Sequence, residues 1–449
     1  MTDTTPERAP VAFVASGEIP QAPPPPGETG LRHWVRENLF SDWVNGTLTL
    51  ISVAFLLWTL PGLIEWVLLH SVWNAKSLDE CRQIMDESFG EGVRGACWAI
   101  INERFEQFIY GRYPEELRWR PNLAFALLFV ALLPVLFGGF PGRKLLFVVT
   151  AAYPVVAYFL LWGGSIWPFF TFVAGVLLGI LALRAIMSID HPIIGTVGVA
   201  IAGAIVVVAL YLNFVWGPLT DGLTGQYGAI GFAPVESAQF GGFLLTVIIG
   251  VVAIAGSLPI GIMLALGRQS SLLFIKFVSV VFIEAIRGVP LITLLFVAST
   301  LLNYFLPPGT SFDIILRVLI MVTLFASAYI AEAIRGGLAA LPKGQYEAGD
   351  AMGLTYGQSM RLIILPQALK ISIPSIVNIF IGVFKDSVLV SIIGLFDPLG
   401  IIQPILANAE WQGIYAEVYF FVAVLFFICC FAMSRYSMYL ERKLKTDHR

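Results

Sequence analysis

The sequence predicts an all-α polytopic membrane protein with about ten transmembrane helices. Hydrophobic residues make up 57% of the 449 residues, and only 13% are charged, about half the share that is usual in soluble domains. Apolar runs of about 20 residues, enough to cross a bilayer as a helix, recur along the chain. This composition excludes a soluble globular protein, and the net charge of -3 gives no indication of nucleic-acid binding.

Ten apolar segments are expected to span the membrane. They are 47–69, 122–138, 145–161, 166–183, 193–215, 242–266, 272–302, 314–336, 371–395 and 416–434. Lys and Arg are concentrated in alternate connections and in the basic tail 435–449. The positive-inside rule therefore predicts that both termini and the connection 341–370 are cytoplasmic.

The region before the sixth span is expected to have three parts. Residues 1–30 are polar and rich in proline, which is typical of a disordered tail. Residues 31–45 suit either a helix lying in the membrane interface or an irregular linker. Residues 46–218 are expected to form an accessory transmembrane region, which includes the outer loop 70–121.

Cys81 and Cys97 lie in this outer loop. The predicted topology places this loop in the periplasm, so the two residues are expected to form a disulfide, and the alternative is two free buried thiols. The four cysteines and four histidines of the chain show no spacing that is typical of a metal site, so no metal centre is expected.

The connection 341–370 is far less hydrophobic than the spans on either side. Its composition predicts two short helices, 345–352 and 356–364, separated by a bend. Gly353 permits a left-handed residue at the bend, and Pro366 restrains the turn that follows. Small residues beside Glu347 would let the first helix lie closely in a groove of a partner protein.

The spacing in this connection resembles the EAA loop of ABC importer permeases. The matching positions are Glu347, Ala348, Gly349, Gly353, Leu365 and Pro366. Gly349 is a departure, because the family usually has a third alanine there. The strings at 282–296, 326–338 and 373–395 resemble the polar-amino-acid branch of the family. Those at 119–125 and 431–444 resemble the M-type permease subunit of general L-amino acid transporters.

The resemblance implies that 219–434 form the five-helix permease core of a type I importer in the bacterial inner membrane. The chain contains no phosphate-binding loop of the form G-x-x-x-x-G-K-[ST], so it is not expected to be an enzyme. ATP and Mg²⁺ would be bound by a partner ABC ATPase dimer, to which the EAA loop would couple the spans. The other implied partners are a second homologous permease, a periplasmic amino-acid-binding protein and the L-amino acid itself.

Ionisable residues inside predicted spans are costly and are therefore candidates for function. They are Glu284, Arg287, Glu332, Arg335, Lys385 and Asp386. The pairs Glu284/Arg287 and Glu332/Arg335 are spaced three residues apart, so each could neutralise itself on one helix face.

The alternative for these residues is a site for a zwitterionic amino acid. Arg287 would bind the carboxylate, because Gly288 and Pro290 can interrupt the helix beside it. Glu284 or Asp386 would bind the ammonium group. Asn378 and Ser387 would add hydrogen bonds, whereas Glu332, Arg335 and Lys385 would serve gating or subunit contacts.

An ion-gradient-driven secondary transporter is the alternative function. Such a protein would be expected to have inverted repeats and discontinuous helices in both halves. Residues 122–215 contain almost no ionisable positions and no counterpart of the C-terminal strings, which favours the importer.

Overall fold

The computed structural model describes residues 30–137, 142–189, 197–301, 304 and 312–444. Residues 1–29 of the expected tail 1–30, most of the outer connection 303–313 and residues 445–449 lie outside the described residues. The chain divides into two compact units, one comprising Met1–Val72 and Ile84–Ala96 and the other Trp73–Gln83 and Cys97–Arg449.

Helices account for most of the described residues. They are α1 Leu31–Leu39, α2 Trp43–Ile64, α3 Leu78–Phe89, α4 Ala99–Tyr110, α5 Trp119–Leu136, α6 Arg143–Trp162, α7 Trp167–Met187, α8 Val197–Phe214, α9 Trp216–Tyr227, α10 Gly242–Arg268, α11 Leu273–Arg287, α12 Leu291–Phe296, α13 Ile314–Ala339, α14 Lys343–Ala351, α15 Tyr356–Ser359, α16 Leu365–Asp386, α17 Ile402–Leu406 and α18 Tyr415–Leu444. Two short strands, β1 Gly164–Ser165 and β2 Gly231–Phe232, pair antiparallel.

Among the described residues, eight helices are long and apolar enough to cross a membrane. Two bent pairs raise this number to as many as ten: α8 with α9, bent by 48°, and α11 with the 291–301 stretch, bent by 102°. The second bend falls between Arg287 and Leu291, where Gly288 and Pro290 interrupt the helix as expected. The expected span 272–302 is therefore two helical pieces and not one straight helix.

Three other stretches differ from the expectations. The outer loop 70–121 contains two helices, α3 and α4, because its apolar residues recur at helical spacing. The connection after the fifth span begins with α9. The last helix continues to Leu444, so most of the expected tail 435–449 is helical.

The first unit contains α1 and α2. The side chain of Asp42 caps α2 by accepting a hydrogen bond from the amide of Asn45 at 2.8 Å, and the hydroxyl of Thr49 donates to the carbonyl of Leu39 at 2.8 Å. These bonds fix the turn between the helices. No residue of α2 is buried, as suits an apolar helix in lipid.

The centre of the second unit is the contact between α10 and α13. Gly256 lies against Thr323, and Gly261 lies against Ile330, so the two helices run in the same direction. Helix α16 joins them, because the hydroxyl of Ser372 donates to the carbonyl of Ala333 at 3.0 Å. We call the end of these helices that is next to Lys343–Ile364 the loop end, and it is there that α10 and α13 terminate.

Candidate functional site

The connection at the loop end has the two helices and the bend that the sequence predicts. The first helix, α14, ends before Gly353, which has a φ of 70° and is therefore left-handed. The hydroxyl of Thr355 then caps α15, accepting from the amide of Gln358 at 3.4 Å. A π-helical stretch, Met360–Ile364, leads into α16. Pro366 lies in the first turn of α16, where no amide hydrogen is needed.

One face of this connection is buried and the other is exposed. Gly349 is buried against Ser359, whereas Glu347 and Ala348 are exposed. The side chains of Met352 and Tyr356 are 63% and 65% exposed. Leu365 is half-buried. In the same turn, the side-chain amide of Gln367 donates through Nε2 to Oε1 of Gln345 at 3.0 Å. The connection therefore presents a small-residue and apolar surface on a rigid support.

Five ionisable side chains meet where α10, α11 and α13 approach one another near the loop end. We call Arg268, Glu284, Arg287, Glu332 and Arg335 the charge cluster. Arg268 donates through Nη1 to Glu284 Oε1 at 2.8 Å and lies 3.4 Å from Glu332 Oε2. Arg335 donates to Glu332 Oε1 from Nε at 2.9 Å and from Nη2 at 2.5 Å. Three arginines face two glutamates, which leaves one positive charge without a counterion in the cluster.

Arg287 is the least satisfied member of the cluster. Its Nη1 lies 3.6 Å from Glu332 Oε2 and 3.9 Å from Glu284 Oε2, both beyond hydrogen-bonding distance. Its Nε is buried and has no acceptor among the described residues, and its guanidinium lies 5.6 Å from the centre of the Tyr329 ring. Arg287 therefore has donors available for a further anionic group.

The structure separates the two carboxylates that were expected as alternatives for the ammonium group. Glu284 is in the charge cluster, but Asp386 is at the far end of α16. Ser372 is level with Ala333, and Asp386 follows it by 14 residues, about 21 Å along a helix. One amino acid cannot bridge Arg287 and Asp386 in this conformation.

The remaining candidates are also spread along α16. Ser387 is buried, and its hydroxyl donates to the carbonyl of Phe384 at 2.7 Å. Asn378 and Lys385 are exposed, on the same face of the helix as Ser375. These residues are not brought together with the charge cluster within this chain.

Arg268 is the member of the cluster that sequence reasoning missed. It stands 16 residues before Glu284 and 64 residues before Glu332, so no local spacing links it to either carboxylate. In the sequence it appears only as one of the positive charges that indicate topology. Its position in the last turn of a span, next to a span with ionisable residues, is the one available hint.

At the opposite end of the second unit, Cys81 and Cys97 form a disulfide with a Cα–Cα distance of 6.2 Å. The amide of Cys97 donates to Glu417 Oε1 at 3.1 Å, in the first turn of α18. The indole of Trp411 donates to Glu103 Oε2 at 3.1 Å. Helix α4 thus lies against the start of the last helix of the chain.

A buried carboxylate lies at the same end. Asp397 is fully buried in the connection between α16 and α17, where it accepts hydrogen bonds from the amides of Leu399 at 3.2 Å and Gly400 at 2.8 Å. Burial raises the pKa of Asp397 to about 6, and the backbone hydrogen bonds act against this rise.

Comparison with known proteins identifies the family. Residues 257–446 match the model of the family described as the binding-protein-dependent transport system inner membrane component. The glutamate/glutamine/aspartate/asparagine transport system permease protein BztC of Rhodobacter capsulatus is 53% identical over 440 residues, 98% of this chain and 99% of that protein. The inner membrane amino-acid ABC transporter permease protein YhdY of Escherichia coli is 40% identical over 415 residues, 92% of this chain and 93% of that protein.

A crystal structure of an amino acid ABC transporter with histidines is also similar. It is 32% identical, and the match covers 44% of this chain and 91% of that chain with a TM-score of 0.40. The family assignment rests on the relatives BztC and YhdY, which match 98% and 92% of this chain. The chain belongs to the amino-acid permeases of ABC importers, as a multi-pass protein of the inner membrane.

Proposed function

We propose that this permease carries polar L-amino acids and binds them at Arg287 and Glu284. The name of its relative BztC gives glutamate, glutamine, aspartate and asparagine as examples of such substrates. The observation that carries the proposal is the unused donor capacity of Arg287, whose Nη1 lies 3.6 Å or more from both glutamates and whose Nε has no acceptor among the described residues. The charge cluster has an excess positive charge, which favours an anionic group beside it. An α-carboxylate supplies that group.

Glu284 supplies the complementary acceptor. Its Oε1 is engaged by Arg268, whereas its Oε2 has no hydrogen-bond donor among the described residues and lies 3.9 Å from Arg287. A free acceptor beside a free donor suits the ammonium and carboxylate groups of one amino acid. Glu332 and Arg335 form a closed pair, which fits a gating or subunit contact.

A second homologous permease would complete the pathway. Ser375, Asn378 and Lys385 are exposed on one face of α16, and a polar face of a spanning helix is unfavourable in lipid. We infer that this face lines the pathway or contacts the second permease. Asn378, Asp386 and Ser387 would then contact the substrate at the other end of the pathway.

The connection 343–364 would couple the permease to a separate ABC ATPase dimer, which would bind ATP and Mg²⁺. Exposed Glu347, Ala348, Met352 and Tyr356 offer a surface for a groove in that protein. Both termini would then be cytoplasmic. A periplasmic amino-acid-binding protein would dock at the opposite end, where the disulfide stabilises the outer segment.

The test is Arg287→Gln, with Lys276→Gln as the matched control on the same helix. Lys276 is exposed and has no side-chain partner among the described residues. Loss of a charge-assisted hydrogen bond is expected to weaken binding of L-glutamate to the purified transporter roughly tenfold to hundredfold. The control is expected to bind normally. Normal binding and uptake by assembled Arg287→Gln would refute the site.

A further inference from the structure

The pentapeptide Glu-Ala-Ile-Arg-Gly occurs twice in the chain, at 284–288 and at 332–336. Both copies place a glutamate and an arginine three residues apart on a helix. In α13 the pair is closed, because Arg335 donates to Glu332 at 2.5 and 2.9 Å. In α11 the pair is open, with Arg287 at 3.9 Å from Glu284. Since the local sequence is identical, the difference has a cause outside the pentapeptide.

Arg268 contacts the glutamates of both pairs, and it lies closer to that of the open pair. Its Nη1 donates to Glu284 Oε1 at 2.8 Å, so one oxygen of this carboxylate is already engaged from α10. The same atom lies 3.4 Å from Glu332, whose other oxygen accepts both bonds from Arg335. Arg268 thus holds Glu284 by Oε1 from another helix, while Glu284 Oε2 has no hydrogen-bond donor among the described residues.

We propose that Arg268 is a positioning residue for substrate binding. It holds Glu284 by Oε1, so that Oε2 can accept the α-ammonium group of an amino acid whose carboxylate is bound by Arg287. This inference rests on the proposed function of Arg287 and Glu284.

The test compares two ligands of the purified transporter in the absence of any capture protein. L-Glutamate has both an ammonium and a carboxylate group, whereas glutarate lacks the ammonium group. Arg268→Gln is expected to raise the Kd of L-glutamate about tenfold and that of glutarate less than about twofold, because Glu284 is then no longer held in place to accept the ammonium group. Arg268→Lys keeps the charge and one donor, and it is expected to restore most of the affinity.

A double-mutant cycle with Glu284→Gln separates positioning from an independent effect. If Arg268 acts through Glu284, Glu284→Gln gives the same selective loss, and Arg268→Gln/Glu284→Gln binds no more weakly than either single variant. Losses that multiply in the double variant, or that are equal for both ligands, would overturn the proposal. If Arg268→Gln does not assemble, Glu284→Gln still tests the proposal. An unchanged preference of Glu284→Gln for L-glutamate over glutarate would overturn it.

The proposed function can fail separately from this inference. Arg287→Gln is expected to weaken the binding of both ligands, because both carry a carboxylate. If Arg287→Gln binds both normally, the proposed site is wrong. If it weakens both while Arg268→Gln leaves the preference for L-glutamate unchanged, the site stands and the positioning role of Arg268 is refuted.

Discussion

A methyl group added at Gly349 would lie 2.5 Å from the Oγ atom of Ser359 and 3.3 Å from its Cβ atom. Ser359 is buried against this glycine, and the contact holds α15 against α14. The departure from the third alanine of the EAA pattern therefore has a steric reason. In this chain the position must be small, because the second short helix lies directly against the first.

Gly349→Ala is expected to destabilise the connection by about 1–3 kcal/mol, which is the usual cost of overpacking. Limited proteolysis between residues 341 and 365 measures the effect. The matched control is Gly344→Ala in the same helix, where an added methyl group meets nothing within 4 Å. Addition of Ser359→Ala removes the nearer atom and is expected to recover part of the loss. Equal resistance of both alanine variants to protease would contradict the steric explanation.

Gly353→Ala tests the left-handed bend between α14 and α15. The φ of 70° costs an ordinary L-residue roughly 1–2 kcal/mol, although an added methyl group would meet no atom within 4 Å. We expect weaker retention of the ATPase in pull-downs from detergent extracts. Gly353→Asn is expected to retain more, since asparagine adopts this conformation more readily. Gly357→Ala, in open space at an ordinary φ, serves as the control. Equal retention by Gly353→Ala and Gly357→Ala would rule out the backbone effect.

Asp397 is expected to make stability depend on pH. Its folded pKa of about 6 lies above the ordinary value of 3.8, so the folded state holds the proton more tightly than the unfolded state. Stability therefore falls as pH rises from about 4 to about 6, by up to roughly 3 kcal/mol, and it is highest on the acid side of this window.

Thermal unfolding of the purified protein at pH 4.5 and at pH 7.5 measures this contribution. Asp397→Asn cannot ionise but can still accept from Gly400, so it is expected to reduce the difference between the two temperatures. The exposed Asp350→Asn is the control and is expected to leave the difference unchanged. If the unfolding temperatures of Asp397→Asn at the two pH values differ as much as those of the unmodified chain, this carboxylate is not the source of the pH dependence.

Replacement of Cys81 and Cys97 by serine is expected to lower the free energy of unfolding by about 3 kcal/mol, because the disulfide closes a loop of 16 residues. Thermal unfolding with and without dithiothreitol measures the change. Reductant is expected to lower the midpoint of the unmodified chain but not that of the double serine variant. Cys430→Ser removes a free thiol and should keep the sensitivity to reductant. Equal midpoints of the unmodified chain and the double serine variant without reductant would contradict this contribution.

The sequence was most informative where the cause of a structure is local. Hydropathy identifies the spans, and the bend at Gly353 follows from a residue type that adopts a left-handed φ without steric cost. The break beside Arg287 follows from Gly288 and Pro290 in the same way. Arg268 could not be assigned, because its partners belong to other helices. The two copies of Glu-Ala-Ile-Arg-Gly could not be told apart either, because identical residues have different partners in α11 and α13.

The bonds from Cys97 to Glu417 and from Trp411 to Glu103 have a consequence for dissecting the protein. By position in the chain, α4 falls in the expected accessory region, but residues at its start and within it are bonded to Glu417 and Trp411 near the last helix. A chain cut at residue 218 would leave the Glu417 carboxylate and the Trp411 indole without these partners. We therefore expect chains that lack α4 to fold less stably than the whole chain.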